Sequence, residues 1–373
     1  MDLEINAFKL ERYFARYEFN VKYLLSPSDC ESISLNDLLK AADRETVELW
    51  NNLTLGYTES KGHPLLREEI AKLYQTIKPD NCIVAAPEEA IFIALFSLLR
   101  KDDEVIVVTP AYQSLIEIPR FIGCRVLEWE IEDLNNAWHL DLSFLERHIN
   151  EKTRLIITNF PHNPTGYMPT VEEFFSIVEL AGKHGTYLFS DEMYHYLEYE
   201  QACRLPPAAD CYERAVSLCG LSKSFGLPGL RMGWLATADQ DLMNRFAVWK
   251  DYTSICSSAP SEILSIAALR SRETIIKENI AIINHNLHVA QMLFDKYSSL
   301  LTWYEPQGGS IAFPRLTDKI SVTDFCLGAV EKNNVLILSA DVFSYPKNHF
   351  RVGLGRKSFP EACEALEDYL ERL

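Results

Sequence analysis

Two basic residues lie close together in a segment rich in glycine, proline and apolar residues. Lys223 directly follows an apolar run, and Arg231 comes eight residues later. A lysine that can be desolvated is a candidate Schiff-base amine, because only the neutral amine is a nucleophile. An arginine that the turn brings back to the same strand end is a candidate bidentate phosphate ligand. The segment therefore predicts a reactive amine beside a phosphate contact.

Polar clusters follow other apolar runs in the same way. They are residues 110–112, 159–166, 191–194 and 220–223. Ligands of open α/β sheets bind at the carboxyl ends of the strands, where such clusters meet. We therefore expect the four clusters to form one site.

The elements that must position these clusters alternate between strands and helices. Apolar strands are predicted at 82–85, 104–109, 124–129, 154–159, 186–190 and 215–219, and helices at 87–99 and 171–184. Continuous Val, Ile and Leu runs separated by helices indicate a mostly parallel sheet that is covered on both faces. The predicted fold class is α/β.

The length of 373 residues favours two domains. We predict an N-terminal arm over 1–34 with a short helix, which packs with the small domain and a partner subunit. A large domain follows over 35–255. A smaller α+β domain over 256–373 has a long helix at 260–300, strands near 310–313, 335–338 and 350–353, and a last helix at 360–373.

Composition excludes several classes of protein. The net charge of −17 argues against binding nucleic acid or an anionic membrane. Nine scattered cysteines without a Cys-x-x-Cys pair are typical of a reducing compartment. The acidic N-terminus lacks the apolar core of a signal peptide, and the longest apolar run, 90–99, is too short to span a bilayer. We expect a cytoplasmic protein.

Several common catalytic motifs are absent. The sequence contains no P-loop, no G-x-G-x-x-G after a strand and no H-E-x-x-H. Ser222 lacks the second glycine of a nucleophile elbow, so a hydrolase is not expected. His285 and His288 have metal-ligand spacing but lie on a charged helix, where they are interpreted as a solvated pair. No metal site is predicted.

Taken together, the motifs resemble those of the class I/II aminotransferases, which are pyridoxal 5′-phosphate enzymes of fold type I. The resemblance extends over essentially the whole chain, and the motifs occur in the family order. They are Tyr57-Thr-Glu-Ser-Lys-Gly62, Pro110-Ala-Tyr112, Asn163-Pro-Thr-Gly166, Asp191-Glu-Met-Tyr194, Ser222-Lys223, Gly229-Leu-Arg231 and Phe350-Arg351.

The resemblance implies a role for each residue that meets the cofactor ring. Lys223 holds the cofactor as an imine and shuttles a proton between the substrate Cα and the cofactor C4′. Asp191 keeps the pyridine nitrogen protonated, so that the ring acts as an electron sink. Asn163 and Tyr194 donate to the 3′ oxygen, and Tyr112 stacks on the ring. From the residues alone, Asp191 could instead cap a helix, and Tyr112 could be a core aromatic.

Other matching residues are implied to bind phosphate or substrate. Arg231 and Ser222 hold the phosphate, and Tyr57 reaches the phosphate of a neighbouring subunit, which implies a homodimer with shared sites. Arg351 clamps the substrate α-carboxylate, with Asn163 beside it. From the residues alone, Arg351 could instead form an ion pair between the domains.

The sequence departs from the family pattern at two phosphate-binding positions. Ala86-Pro87-Glu88 stands where the family usually has Gly-Ala-Thr, and Gly220 replaces a serine. Pro87 offers no N–H, and a carboxylate at Glu88 would repel phosphate. We therefore predict that Glu88 turns its carboxylate away, so that the N–H groups of Glu88 and Glu89 still bind the phosphate.

The resemblance implies a homodimeric aminotransferase that moves an amino group between an amino acid and a 2-oxo acid. A lyase or an amino-acid cyclase with the same cofactor remains an alternative. A non-catalytic cofactor-binding regulator is a third possibility, but it would usually carry a basic DNA-binding extension, which neither end of this sequence offers. No motif identifies the substrate side chain.

Overall fold

The computed structural model describes residues 5–373, and an arm and three helices precede the central sheet. In chain order they are α1 (Lys9–Tyr17), β1 (Tyr23–Leu24), α2 (Leu35–Ala41), α3 (Arg44–Asn51) and α4 (Pro64–Ala71). Residues 1–4 lie outside the described residues. They belong to the predicted arm and to the acidic N-terminus from which we expected no signal peptide. No helix within 5–373 is long and apolar enough to cross a membrane.

An eight-stranded sheet forms the centre of the molecule. Its strands are β2 (Cys82–Ala85), β3 (Glu104–Thr109), β4 (Arg125–Leu134), β5 (Ala137–Leu140), β6 (Thr153–Asn159), β7 (Tyr187–Asp191), β8 (Ala215–Gly220) and β9 (Gly233–Ala236). Their spatial order is β2-β9-β8-β7-β6-β3-β4-β5. The five strands from β8 to β4 pair in parallel, whereas β9 and β5 pair antiparallel with their neighbours. The predicted mostly parallel α/β sheet is confirmed.

Both faces of this sheet are buried, which explains the continuous apolar runs. Val105 and Val107 of β3 pack into one hydrophobic core, and the alternating Ile106 and Val108 pack into another.

Six helices follow α4 in the part of the chain that forms the sheet. They are α5 (Pro87–Leu98), α6 (Ser114–Ile122), α7 (Leu142–His148), α8 (Val171–His184), α9 (Ala208–Cys211) and α10 (Gln240–Asp251).

Helix α8 has the predicted bounds because the sequence marks both of its ends. The Thr170 side chain accepts a hydrogen bond from the Glu173 N–H, and the Glu173 carboxylate accepts one from the Thr170 N–H. This reciprocal pair is a capping box. Gly185 ends the helix with a φ of +64°, a conformation that glycine adopts without a steric penalty.

The remainder of the chain combines helices with short strands. It contains α11 (Ala259–Arg270), α12 (Arg272–Lys296), β10 (Leu301–Thr302), β11 (Ile311–Ala312), β12 (Arg315–Leu316), α13 (Val322–Asn333), β13 (Val335–Leu336), β14 (Leu338–Ser339), β15 (Phe350–Gly353) and α14 (Phe359–Leu370). The single long helix expected over 260–300 is wrong, because the chain leaves helical geometry at Ser271. There Arg270 forms ion pairs with Asp43, Glu45 and Glu69, which hold the end of α11 against α3 and α4.

The N-terminal arm joins the C-terminal strands to the carboxyl ends of the strands of the large sheet. Strand β1 pairs in parallel with β13, while β11, β15 and β14 form an antiparallel sheet. The arm then crosses β15, where the Gly353 N–H donates to the Leu25 carbonyl at 2.6 Å. A Cβ atom at position 353 would lie 1.7 Å from the Pro27 carbonyl oxygen, so only glycine permits this approach. The crossing brings the residues after Pro27 to the strand ends of the large sheet.

Candidate active site

A cavity of about 380 Å³ lies where the polar clusters meet, at the carboxyl ends of the parallel strands. Strands β6, β7 and β8 are neighbours and end at Asn159, Asp191 and Gly220. Except for Tyr57 and Glu89, every residue that the sequence predicted for the site lines this cavity: Pro87, Glu88, Tyr112, Asn163, Asp191, Tyr194, Ser222, Lys223, Arg231 and Arg351. The strand ends therefore gather residues that lie up to 264 positions apart into one site.

Lys223 presents its amine to this cavity from the turn after β8. The Nζ atom donates a hydrogen bond of 2.9 Å to the Ser28 hydroxyl of the arm. Burial lowers the pKa of Lys223, and the positive charge of Arg351 lowers it further, although the carboxylates of Asp29 and Asp191 oppose the shift. A lowered pKa increases the fraction of neutral amine, which is the form that attacks a carbonyl.

Asp191 ends strand β7 with its carboxyl group in the cavity wall. Only 6% of the residue is exposed, and its Oδ1 accepts a hydrogen bond of 3.1 Å from the Met193 N–H. Burial raises the pKa of Asp191 to about 6, against the effects of this hydrogen bond and of Lys223. Within residues 5–373 no cation lies in ion-pair contact with it, so a positively charged group in the cavity would stabilise its ionised form.

Three buried polar side chains of the cavity have atoms without a hydrogen-bond partner in the described part of the chain. They are the Tyr194 hydroxyl, the Ser222 hydroxyl and the Nε of Arg351. A buried polar group without a partner costs free energy, about 1–3 kcal/mol for a neutral group. Their convergence on one cavity indicates a polar ligand with acceptor atoms.

Arg351 reaches the cavity from β15 and is 1% exposed. Its Nη1 donates to the Asn163 side-chain oxygen at 3.0 Å, and its Nη2 donates to the Ser26 carbonyl at 3.0 Å. The inter-domain ion pair considered for Arg351 is not found, because within the described chain no carboxylate lies within 4.0 Å of its guanidinium. Its positive charge is therefore available to an anion in the cavity.

Tyr112 lines the cavity from the loop after β3 and contacts the arm. Its ring packs against Phe8 with centroids 5.0 Å apart, and its hydroxyl donates to Glu11 Oε1 at 3.1 Å. The half-buried ring lines the cavity and also packs against the edge of the hydrophobic core. The core-aromatic interpretation of Tyr112 therefore describes part of its surroundings, and stacking on the cofactor ring stays a prediction.

The segment that departs from the family pattern forms the start of α5. Pro87 is the first residue of the helix, and the Ala86 N–H donates to Glu89 Oε2 at 3.3 Å. Glu88 accepts a hydrogen bond of 3.2 Å from the Ser114 hydroxyl. Burial raises the pKa of Glu88 to about 7. Whether this carboxylate avoids a bound phosphate stays a prediction.

The packing around Gly220 explains why a glycine stands where the family usually has a serine. A Cβ atom there would lie 3.0 Å from the Met232 carbonyl oxygen and 3.1 Å from both Gly233 Cα and Met193 Cε. These contacts are closer than ordinary van der Waals separation, so a serine would require its neighbours to shift by a few tenths of an ångström. Arg231, which follows this turn with a φ of +57°, donates from Nη1 to the Pro228 carbonyl at 3.1 Å.

The sequence predicted that the N-terminal arm helps to form the substrate pocket, but it named no residue of the arm. Ser28 and Asp29 line the cavity, together with four residues at or next to α1: Leu10, Glu11, Phe14 and Glu18. Asp29 forms an ion pair of 2.6 Å with Arg356. The polar run of residues 26–29 was visible in the sequence, but no local pattern shows that it packs against a lysine 195 positions away.

Tyr57 is the predicted site residue that the structure places elsewhere. It is 92% exposed and does not line the cavity. Leu55 and Tyr252 are also more than four-fifths exposed, and the Thr58 hydroxyl donates to the Ser257 carbonyl at 3.3 Å, which joins the two segments. The contact of Tyr57 with a neighbouring subunit stays a prediction.

The residues of the cavity fit pyridoxal 5′-phosphate. A buried carboxyl group without an ion pair suits the protonated pyridine nitrogen, and an amine of lowered pKa suits the aldehyde carbon. The unpartnered hydroxyls of Tyr194 and Ser222 suit the oxygen atoms of the cofactor. Arg231 and the first turn of α5 supply positive charge and N–H groups for the phosphate.

Comparisons with known proteins agree with this site. The family model for aminotransferase class I and II matches residues 24–366. The chain is 30% identical over 351 residues to the capreomycidine synthase of Streptomyces vinaceus, covering 93% of this chain and 89% of that protein. A PLP-dependent aminotransferase from Streptococcus suis superposes with a TM-score of 0.92 at 26% identity, covering 100% and 99% of the two chains. The PLP-dependent cyclase OrfR superposes with a TM-score of 0.91 at 25% identity, covering 99% and 98%.

Proposed function

This chain belongs to the class I and II aminotransferase family, whose members depend on pyridoxal phosphate, and we propose that it transfers an amino group between an amino acid and a 2-oxo acid. The observation that carries the proposal is the meeting of Lys223, Asp191 and Arg351 in one cavity. These residues supply an amine, a carboxylate and a carboxylate-binding cation, which amino-group chemistry at a Cα atom requires.

The proposed roles follow from the position of each side chain. Bound pyridoxal phosphate supplies an electron sink that makes the Cα–H bond of an attached amino acid acidic. The Lys223 amine would take the proton from the substrate Cα and would then donate it again, acting as base and then as acid. Asp191 holds a proton on the pyridine nitrogen. Arg351 binds the α-carboxylate through its guanidinium, and its hydrogen bond to Asn163 fixes its orientation.

Other residues would hold the cofactor in place. The half-buried ring of Tyr112 provides a flat surface, and the Tyr194 and Asn163 side chains lie beside it in the cavity. Arg231, Ser222 and the N–H groups at the start of α5 would bind the phosphate. Pro87 lacks an N–H, so the contribution of this helix end comes from Glu88 and Glu89.

The proposed holoenzyme is a homodimer. Tyr57, Leu55 and Tyr252 expose large apolar side chains on neighbouring segments, and such residues are enriched in interfaces. In this arrangement Tyr57 completes the phosphate site of the partner subunit.

A second candidate is a cyclisation or elimination reaction with the same cofactor. It is favoured by the similarity to capreomycidine synthase and to the cyclase OrfR. A carboxyl group inside the cavity with a pKa of about 7, that of Glu88, could also exchange a proton with a leaving group. Transfer to a 2-oxo acid does not require such a group.

An acceptor assay separates the two candidates. The holoenzyme is incubated with single amino acids, with and without 2-oxoglutarate, and the products are identified by mass spectrometry. Amino-group transfer predicts a 2-oxo acid product and glutamate only when the acceptor is present. A product that forms catalytically without acceptor, whether ammonia with a 2-oxo acid or a cyclised amino acid, would replace transfer by the second candidate.

A further inference from the structure

The cavity contains more acidic than basic side chains. Its three basic and five acidic residues are Lys223, Arg231, Arg351, Glu11, Glu18, Asp29, Glu88 and Asp191. In the proposed function, a phosphate and a substrate carboxylate bring further negative charge into the same space. An uncharged or acidic substrate side chain would leave this excess without compensation.

Two of these carboxylates are not committed to any other role. Asp29 pairs with Arg356, Asp191 serves the pyridine nitrogen in the proposed function, and Glu88 accepts from Ser114. Among residues 5–373, no lysine, arginine or histidine lies within 4.0 Å of the Glu11 or Glu18 carboxylate. Glu11 accepts a hydrogen bond from the Tyr112 hydroxyl, which leaves capacity for further donors.

Glu11 and Glu18 lie on one face of the N-terminal helix. They are seven residues apart, which is close to two helical turns, and Glu18 keeps helical backbone angles as the residue after α1. Phe14 lines the cavity between them, and Leu10 precedes them. This face offers two carboxylates with an apolar surface between them, which matches a cationic group at the end of an aliphatic chain.

The same cavity offers a complementary group for an anion. Arg351 is 1% exposed, and its Nε has no partner within the described chain. This buried donor points to a ligand that carries an anionic group at Arg351, independently of the acidic face of α1.

We infer that the substrate is an amino acid with a cationic side chain, whose carboxylate binds Arg351 and whose ammonium or guanidinium group binds Glu18, with Glu11 adding negative charge nearby. The inference rests on the proposed function, because that function places the α-carboxylate at Arg351. Leu10 and Phe14 contact the methylene groups of the side chain. The acidic face of α1 then selects the substrate, while the strand ends perform the chemistry.

The electrostatics of Glu18 support this assignment. Burial raises the pKa of Glu18, and the nearby carboxylates of Asp29 and Glu11 raise it further, against the effects of Arg356 and Lys223. A cation bound between Glu11 and Glu18 would relieve this repulsion.

Pairs of amino acids with similar chain length and different charge test the inference. The holoenzyme is titrated with arginine against citrulline and with lysine against norleucine, and the change in cofactor absorbance gives the apparent Kd of each. Calorimetry with 5-guanidinopentanoate against hexanoate measures recognition of the two ends without any reaction at an amino group. We expect the cationic member of at least one amino-acid pair, and 5-guanidinopentanoate, to bind about tenfold tighter or more.

Variants assign the preference to α1. Glu18→Gln and Glu11→Gln keep the side-chain shape, and each should reduce the cationic-to-neutral ratio severalfold while the affinity for norleucine stays the same. Glu146→Gln, an exposed residue of α7, removes the same charge outside the cavity and should leave the ratio unchanged.

Equal binding of cationic and neutral partners, or a ratio that survives both α1 variants, would overturn the inference. Failure of the proposed function gives a different result: without bound cofactor chemistry no amino acid of any charge would change the absorbance, and with cyclisation or elimination the acceptor assay would give product without 2-oxoglutarate.

Discussion

Arg351 donates a hydrogen bond of 3.0 Å from Nη1 to the side-chain oxygen of Asn163, which lies 188 residues earlier in the chain. The bond joins β15, near the C-terminus, to the loop that follows β6 of the large sheet. Because both residues are buried, it fixes the guanidinium in one orientation. The residue proposed to bind the substrate carboxylate is thereby positioned by a residue proposed to contact the cofactor.

Arg351→Ala should mainly weaken the binding of amino acids. Loss of one partner of a desolvated charged pair costs about 2–5 kcal/mol, so the apparent Kd should rise by roughly 30-fold or more. The Kd is measured from the absorbance change of the bound cofactor when an amino acid is added. Arg351→Lys keeps the charge but loses the two-pronged geometry, and should restore only part of the affinity. An unchanged Kd in Arg351→Ala would contradict the carboxylate assignment.

Asp191→Asn should lower turnover by orders of magnitude while the fold is retained. The amide cannot stabilise a proton on the pyridine nitrogen, so the cofactor becomes a poorer electron sink. The adjacent Glu192 provides a matched control, because its carboxylate accepts from the Ala208 N–H and the Ser217 hydroxyl and does not line the cavity. Steady-state rates of the two variants are compared. Equal losses in Asp191→Asn and Glu192→Gln would show that the effect is structural.

The stability of the cofactor-free protein should depend on pH through Glu88. Its folded-state pKa is raised from 4.5 to about 7, so the folded protein keeps a proton that the unfolded chain releases between these values. Stability is therefore lost as the pH rises through that range. Urea unfolding at about pH 5 and about pH 8 should show a larger loss in the wild type than in Glu88→Gln, by roughly 1–2 kcal/mol.

Glu89 supplies the contrasting control for this measurement. Although burial opposes it, hydrogen bonds from Thr253 and Ser254 hold the pKa of Glu89 below its ordinary value. Glu89 therefore stabilises the fold at high pH, and Glu89→Gln should lower stability more at about pH 8 than at low pH. Identical pH slopes in the wild type and Glu88→Gln would contradict the raised pKa of Glu88.

Tyr57 should act on the site of a neighbouring subunit. If the sites are shared, a Tyr57→Ala subunit and a Lys223→Ala subunit together form one intact site. Mixing the two inactive proteins after reversible dissociation should therefore restore up to about a quarter of the wild-type activity. The activity of the mixture is compared with that of each variant alone, and sedimentation gives the subunit number. Activity in a monomer, or no recovery in hybrid dimers, would exclude a shared site.

The sequence predicted the central sheet because its strands are buried on both faces. Each of β3, β6, β7 and β8 is a nearly continuous apolar run followed by polar residues, and such runs are visible without any tertiary information. Because polar residues that follow parallel strands meet at the carboxyl ends of those strands, the sequence also predicted that Asp191 and Lys223 lie close together. Strands β5 and β9 were not predicted, because each has only four residues, which is too short to show a clear pattern.

Features that depend on distant contacts could not be predicted in this way. The break between α11 and α12 has no glycine or proline to mark it, and the ion pairs of Arg270 depend on residues more than 200 positions away. The hydrogen bond between Lys223 and Ser28, and the acidic face of α1, likewise depend on how the arm crosses β15. Local patterns carry no information about such crossings.

Borohydride reduction of the holoenzyme, followed by peptide mapping, tests most directly whether Lys223 carries the cofactor. The reagent fixes an imine as a stable secondary amine, so mass spectrometry identifies the modified lysine. Lys250 is a useful internal comparison, because it is also buried with a lowered pKa but does not line the cavity. We expect the pyridoxyl group on Lys223 alone and its loss in Lys223→Ala. A pyridoxyl group on Lys250 or any other lysine, or none after reconstitution with pyridoxal phosphate, would contradict the proposed active site.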